Sequence, residues 1–367
     1  MRWDSLRLHD GPAGGAGEPA ANGQGRGTAH AALFERGAIT RTFDTPGFRG
    51  MTFFEVQAKS IVNRVPEASR VPFRWTINPY RGCQHACRYC FARSTHNYLD
   101  LDAGADFDSK VVVKVNAPEL LRKTLASARW QGEHIAMGTN VDCYQRAEGR
   151  YQLMRGIIGA LRDTANPFSI LTKGTLILRD LDLLCAAAEV TDVGLNFSAG
   201  FVDKELWRSL EPGTPSPERR LDACAELTAA GLRCGVLMGP IVPFLSDSPA
   251  QLDAAVRRIA ASGATHVSPI VLHLRPGARE WFLRWLRANH PALVPRYRAL
   301  YGRGAYAPKD YQARIAGQVR ELALRHRVGA AGPAASRPVP RGPRRPAEPA
   351  PSPVAAAAPA PTQLTLL

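Results

Sequence analysis

Short apolar runs alternate with longer amphipathic stretches through the middle of this chain. The runs are "FRWTI" (73–77), "KVVVKV" (110–115), "HIAMG" (134–138), "FSILT" (168–172), "VGLNFS" (193–198), "CGVLMG" (234–239) and "HVSPIVL" (266–272). Their length and apolar content predict strands. The stretches between them predict helices over 118–128, 147–162, 181–188, 203–210, 217–230 and 249–262. The helix at 217 is the best punctuated: Ser216 is its N-cap, Pro217 opens the first turn and Gly231 stops it. Six or seven β–α units in succession predict an α/β fold, with a parallel sheet covered by helices that closes into a full or partial barrel. Barrels of this kind place chemistry at the C-terminal ends of their strands.

Composition changes sharply outside this region. The chain has 367 residues, which suits one large α/β domain with tails, or two domains. Residues 11–32 are rich in Gly and Ala and predict a flexible lead-in over 1–45. Residues 333–362 are mostly Pro, Ala and Arg and predict an extended, unpacked tail over 331–367. The barrel core is expected over 46–272, followed by a basic, aromatic-rich helical extension over 273–330. Hydrophobic residues make up 45%, enough for a sizeable core, and the formal net charge is +15. Most of that charge is local: from Arg275 to Pro346, 16 lysines and arginines face only Glu280, Asp310 and Glu321. An anionic partner is the expectation. No run of 18 apolar residues occurs, and "MRWDSLRLHD" has no signal-peptide core, so no membrane association is expected. An odd number of cysteines, seven, argues against a secreted disulfide scaffold and for the cytoplasm.

Three of those cysteines lie within eight positions, in "RGCQHACRYCFAR" (81–93). Cys83, Cys87 and Cys90 have the spacing C-x3-C-x2-C on a loop after the first strand. A loop can wrap its thiolates around one metal centre. A structural zinc site needs four ligands, which His85 or His96 would complete. A [4Fe–4S] cluster held by three cysteines instead leaves one iron open to bind a small molecule.

The spacing, the aromatic Tyr89 before the third cysteine and the barrel context resemble the radical S-adenosylmethionine superfamily. Further segments resemble its spore photoproduct lyase-like branch, in particular the actinobacterial proteins labelled DNA repair photolyases. They are "NRVPEASRVPFRWTINPYRGCQHACRYCFAR", "GTNVDCYQRAEGRY", "SILTKGTLILRDLDLL", "NFSAG", "EPGTPSPERRLDA" and "AGLRCGVLMGPIVP". The resemblance covers residues 45–330. It implies a partial (β/α)6 TIM-type barrel, a [4Fe–4S] cluster on Cys83, Cys87 and Cys90, and S-adenosylmethionine chelated at the open iron. It also implies one-electron reduction by a donor such as flavodoxin or ferredoxin, and a 5′-deoxyadenosyl radical that abstracts a substrate hydrogen. Relatives commonly read Thr-Asp-Pro-Tyr where this chain has Val141-Asp142-Cys143-Tyr144. The lyase returns a hydrogen from a cysteine at a strand end, whereas here that region reads "AMGTN". Cys143, a few residues on, is the candidate substitute donor, so the lyase reaction is not carried over.

The cofactor's amine, carboxylate and ribose need polar partners at strand ends. Thr139 and Asp142 follow one strand, Thr172 and Lys173 the next, and Asn196 and Ser198 end another. Lys173 is the candidate for the carboxylate and Asp142 for the amine or ribose hydroxyls. Tyr89 and Phe91 are candidates to pack near the adenine, or to anchor the loop.

The extension interleaves Arg with Trp281, Trp285, Tyr297, Tyr301, Tyr306 and Tyr311. Arginines on phosphates with aromatics on exposed bases would suit nucleic acid, although Trp281, Phe282, Trp285 and Leu286 also have the spacing of a buried helical stripe. The last five residues, Gln363 to Leu367, resemble the bacterial sliding-clamp binding motif. The expected function is a radical enzyme acting on nucleic acid in repair. Its alternatives are modification of RNA, protein or a metabolite by the same chemistry, and a non-catalytic iron–sulfur or zinc nucleic-acid-binding protein.

Overall fold

The computed structural model describes Leu6–Arg7 and residues 37–329 except 68 and 70. The sliding-clamp-like pentapeptide, the Pro/Ala tail and most of the lead-in lie outside the described residues. Twelve strands form two sheets among the described residues. The first sheet has the order β12-β11-β10-β9-β8-β5-β4. Its members are β4 (Val62–Arg64), β5 (Trp75–Ile77), β8 (Ile135–Met137), β9 (Phe168–Thr172), β10 (Val193–Ser198), β11 (Cys234–Ile241) and β12 (Val267–Val271). The six from β5 to β12 are parallel, with β4 added antiparallel on the edge. This is the partial six-stranded barrel that the resemblance implied. No helix of the described residues is long and apolar enough to cross a membrane.

Register and burial separate the two faces of the barrel. Ile77, Met137, Ile170, Leu195 and Cys234 are cross-strand neighbours and lie in the main hydrophobic core. The alternate positions are Thr76, Ala136, Ser169 and Gly194, then Leu171, Asn196 and Gly235. This second set is small or polar apart from Leu171, and Ser169, Leu171 and Asn196 remain half-exposed. A closed barrel fills its interior with bulky branched side chains. Here most of the inner-face positions named are small or polar instead.

One strand prediction is corrected. "KVVVKV" forms β7 (Lys110–Lys114), which lies in the second sheet and not in the barrel. It pairs in parallel with β3 (Thr52–Ala58), which also carries β1 (Leu6–Arg7) and β2 (Ile39–Arg41). On its other side β7 pairs with β6 (Tyr80–Arg81). The chain leaves β5, forms this two-residue strand, and only then enters the cysteine loop. The second sheet therefore braces the base of that loop.

Most helices begin and end close to the expected positions. Ser216 caps Pro217–Ala229, and Ser248 closes a capping box with Gln251 at the start of Pro249–Ala261. The helix expected over 147–162 is broken at Gln152, whose φ is 51°. The cause is Glu148, whose carboxylate accepts from the backbone N–H groups of Leu153 (3.1 Å) and Met154 (3.1 Å) and so caps a new helix, Leu153–Asp163.

The barrel also does not stop at 272. Helix Lys309–Arg325 packs on Pro249–Ala261 and β12, and puts Ile315, Val319 and Ala323 into the main core. What lies between is an insertion with helices Ala278–Asn289 and Val294–Tyr301. Its Phe282, Trp285, Tyr297 and Tyr301 are buried in a second cluster with Cys87 and Tyr89. These aromatics are therefore not free to stack on bases. They pack the insertion against the cysteine loop.

Replacing Ser248 with Ala removes a capping box and should lower unfolding stability by about 1 kcal/mol. Urea denaturation should show a lower midpoint with an unchanged slope.

Candidate active site

The cysteine loop spans 82–90 between β6 and a helix of 3-10 type, Phe91–Leu99. Gly82 has φ 79°, and a side chain there would meet the Lys110 carbonyl oxygen at 2.5 Å. Cys83 and Cys87 are buried and Cys90 is half-buried. All three thiols are free.

A carboxylate from the barrel holds the loop in place. Asp142 Oδ1 accepts from Tyr144 N (2.9 Å) and Thr172 Oγ1 (2.6 Å). Its Oδ2 accepts from Lys173 N (2.6 Å) and pairs with His85 Nδ1 at 3.3 Å. One side chain thus joins the loop to the end of β9. Burial alone would raise this carboxyl, but His85, Thr172 and the Lys173 amide outweigh it and hold it well below the usual carboxylate range. Gln145 works beside it: its Oε1 accepts from Gln84 N (3.0 Å) and its Nε2 donates to the Gly82 carbonyl (3.0 Å).

A second contact comes from the segment after β10. Arg88 N donates to the Leu210 carbonyl (2.9 Å), and Gly213 N to the His85 carbonyl (3.1 Å). The buried Glu211 accepts from Tyr89 Oη and from Arg220. Arg220 also donates to the Ser198 carbonyl (2.9 Å) and Thr214 Oγ1 (2.6 Å). Lys173 Nζ lies 5.8 Å from the Tyr89 ring centroid. Burial pushes the Cys87 thiol up to about 12, and the Lys173 ammonium pulls it down.

The structure brings together most of the candidates. The three cysteines, Lys173, Asp142 and Tyr89 meet at one end of the barrel. Asn196 is on the inner face and, like the half-exposed Thr139, makes no side-chain hydrogen bond among the described residues. The Ser198 hydroxyl donates to the Gly239 carbonyl (2.8 Å), so toward a ligand it can only accept. Phe91 packs on His273 (5.7 Å between ring centroids), under the Arg275 guanidinium (5.5 Å).

Two assignments change. Asp142 has four protein partners on its two oxygens, so it positions the loop and has no lone pair directed at an amine or ribose. Cys143 is fully buried in the main core, whereas a hydrogen donor has to touch its substrate. Each histidine proposed to complete a zinc site has one ring nitrogen engaged with the protein. His85 pairs with Asp142, and His96 Nε2 lies 2.9 Å from the Lys110 carbonyl oxygen. Among the described residues no three His, Cys, Asp or Glu side chains gather closely enough to hold one ion.

Comparison with known proteins agrees with this geometry. The Radical SAM superfamily pattern matches residues 77–258. Uncharacterized proteins of Mycobacterium tuberculosis and Mycobacterium bovis are 50% identical over 294 residues, covering 80% of this chain and 86% of theirs. The chain belongs to the radical SAM superfamily. It is an enzyme of that superfamily, whose cofactors are a [4Fe–4S] cluster and S-adenosylmethionine. An uncharacterized protein of Methanocaldococcus jannaschii is 33% identical over 195 residues, covering 53% of this chain and 69% of its own. In fold the chain is similar to a spore photoproduct lyase mutant solved with bound AdoMet and dinucleoside spore photoproduct. There the TM-score is 0.57 at 17% identity, over 72% of this chain and 78% of that one.

The loop of this radical SAM protein fits a cluster. Its donors are three soft sulfurs close enough for Cys87 and Cys90 to act electrostatically on Cys83. Burial holds all three thiols protonated, a cost that a bound cationic metal group reverses. Both polar atoms of the buried Gln84 amide, next to Cys83, have no partner. A buried amide left unpaired is what remains when a neighbouring group is absent.

Asp142 gives a pH signature. A carboxyl depressed in the fold adds stability that is complete above its unfolded value of ~3.9 and is lost as pH falls toward the folded value. In urea denaturation of the metal-free protein, wild type should exceed Asp142→Asn at about pH 5. The margin should shrink below about pH 4, and a margin unchanged to pH 3 would contradict the clamp.

Proposed function

We propose that Cys83, Cys87 and Cys90 hold a [4Fe–4S] cluster through three of its irons, that S-adenosylmethionine occupies the fourth, and that the substrate is nucleic acid. The observation that carries this reading is a loop of three free thiols spaced C-x3-C-x2-C, whose one histidine, His85, is paired through Nδ1 with Asp142. The loop offers three sulfurs and no fourth cysteine. When bound, the pair of cofactors supplies one-electron reductive cleavage of a sulfonium and hydrogen-atom abstraction from substrate.

The chain's own residues orient and enclose. Lys173 offers an ammonium to the methionyl carboxylate, and Asn196 and Thr139 offer unpaired polar groups near it. The small residues of the inner face leave space for the part of the substrate that reacts. Tyr89, Glu211 and Arg220 close the side of the loop against water. The excess of Arg in and beyond the insertion supports a polyanionic substrate. The exposed Tyr306, hydrogen-bonded to Arg275 (3.0 Å) and stacked on His273 (5.6 Å), adds an aromatic surface beside the loop.

Anaerobic reconstitution with iron and sulfide, followed by dithionite and S-adenosylmethionine, should yield 5′-deoxyadenosine from wild type and none from Cys90→Ala. Lys173→Met should weaken binding of S-adenosylmethionine on the order of 10- to 100-fold, as expected for a lost charge-assisted contact. DNA binding should fall steeply with salt, and DNA should accelerate cofactor cleavage. Cleavage that ignores DNA and RNA would contradict the substrate assignment while leaving the cofactor assignment intact.

A further inference from the structure

We infer that the Arg93–Asp108 pair sets the reduction potential of the redox group held by the cysteine loop, with Arg93 as a positioning residue beneath that loop. The inference rests on the cluster reading above. Arg93 is fully buried, and every nitrogen of its guanidinium is engaged. Nε and Nη2 both donate to the Cys87 carbonyl, at 3.2 and 3.0 Å. Nη1 donates to the carbonyls of Ala103 (3.3 Å) and Gly104 (2.8 Å), and Nη2 also pairs with Asp108 Oδ1 at 2.7 Å. The Phe107 and Trp281 rings lie 5.2 and 4.8 Å from the guanidinium carbon. A side chain at Gly104 would meet the Trp281 ring at 2.6 Å, so glycine there lets the indole close over the cation.

Tethering one carbonyl does not require a full charge. Burying a guanidinium is costly, and the cost is tolerated where the charge is paired. The pairing is lopsided: the Arg93 side chain is 0% exposed and the Asp108 side chain 17%. The positive end of the pair faces the cysteine loop in a low-dielectric setting, and the negative end, itself mostly buried, is the more exposed of the two. Through the Cys87 carbonyl the Arg93 charge sits directly against the cysteine loop, and Asp108 is bonded to Arg93. One-electron reduction adds negative charge at the same place. A fixed positive charge there favours the reduced state and raises the potential, and Asp108 trims that effect.

The test is a redox titration of the reconstituted full-length protein under anaerobic conditions. Dithionite is the one-electron reductant, EPR of the reduced state is the readout, and iron content is measured for each sample. Arg93→Met should shift the reduction equilibrium at least tenfold toward the oxidised state, about 59 mV for one electron. Asp108→Asn should shift it the other way, and Arg93→Lys, which keeps the charge but not the fork of donors, should stay near wild type. Wild type, Arg93→Met and Asp108→Asn sharing one potential at full iron content would overturn the inference. So would equal shifts in Arg93→Met and Arg93→Lys, which mark a role in shape alone. If Arg93→Met takes up no iron, the opposite displacement of Asp108→Asn relative to Arg93→Lys decides, and its absence overturns the inference. A wild type that takes up no iron removes the cluster reading and this inference with it.

Discussion

A single buried carboxylate connects the two halves of this site. Asp142 reaches from the loop after β8 to His85 inside the cysteine loop, and to Thr172 and Lys173 at the end of β9. Without that bond the cysteine loop would rest on β6, on Gln145 and on the segment after β10, with no tie to the strand that carries Lys173. With it, the sulfurs and the ammonium are fixed relative to one another. That is the arrangement needed by a ligand that binds metal at one point and an ammonium at another. Buried ion pairs are a weak source of net stability, and their better-attested contribution is specificity of arrangement.

Around the loop, charge is balanced with care. Burial drives the three thiols toward their neutral forms. Lys173 acts on Cys87 and Cys90, Arg220 on Cys87, and Arg93 on Cys90, each favouring the thiolate. Arg220 and Arg93 are in turn paired with Glu211 and Asp108. No acid is paired with Lys173 among the described residues, which leaves its charge available to an anionic group. The same packing explains the insertion between β12 and the last barrel helix. Its buried aromatics join Cys87 and Tyr89 in one cluster, so it closes the site from the side as well as adding charge.

The sequence made the local features readable and left the long-range ones hidden. β9 and β10 match their apolar runs to the residue, because Pro, Asn, Asp and Gly bound them closely. The cysteine spacing was equally clear, since its chemistry is local. "KVVVKV" was read as a strand but placed in the wrong sheet, because a buried run does not name its neighbour. That neighbour, Thr52–Ala58, was missed, since Glu55 and Gln57 interrupt its apolar pattern. Gln145, Glu211, Arg220 and Arg93 carry no signal of their own, and His85 signals only a candidate zinc ligand. Each is an ordinary polar residue in sequence and acquires its role only through partners brought close by the fold. Cys143 follows the same rule: it lies a few residues beyond β8, and its side chain is buried in the main core.

The central claim is that three thiolates hold a cluster whose remaining iron is open to a small molecule. The most direct test is EPR of the reduced, reconstituted protein before and after S-adenosylmethionine is added, with iron, sulfide and zinc quantified in the same sample. The account predicts about four irons per chain, no stoichiometric zinc, and a changed signal when the cofactor binds. A full complement of zinc, or a cluster signal that S-adenosylmethionine leaves unaltered, would contradict it.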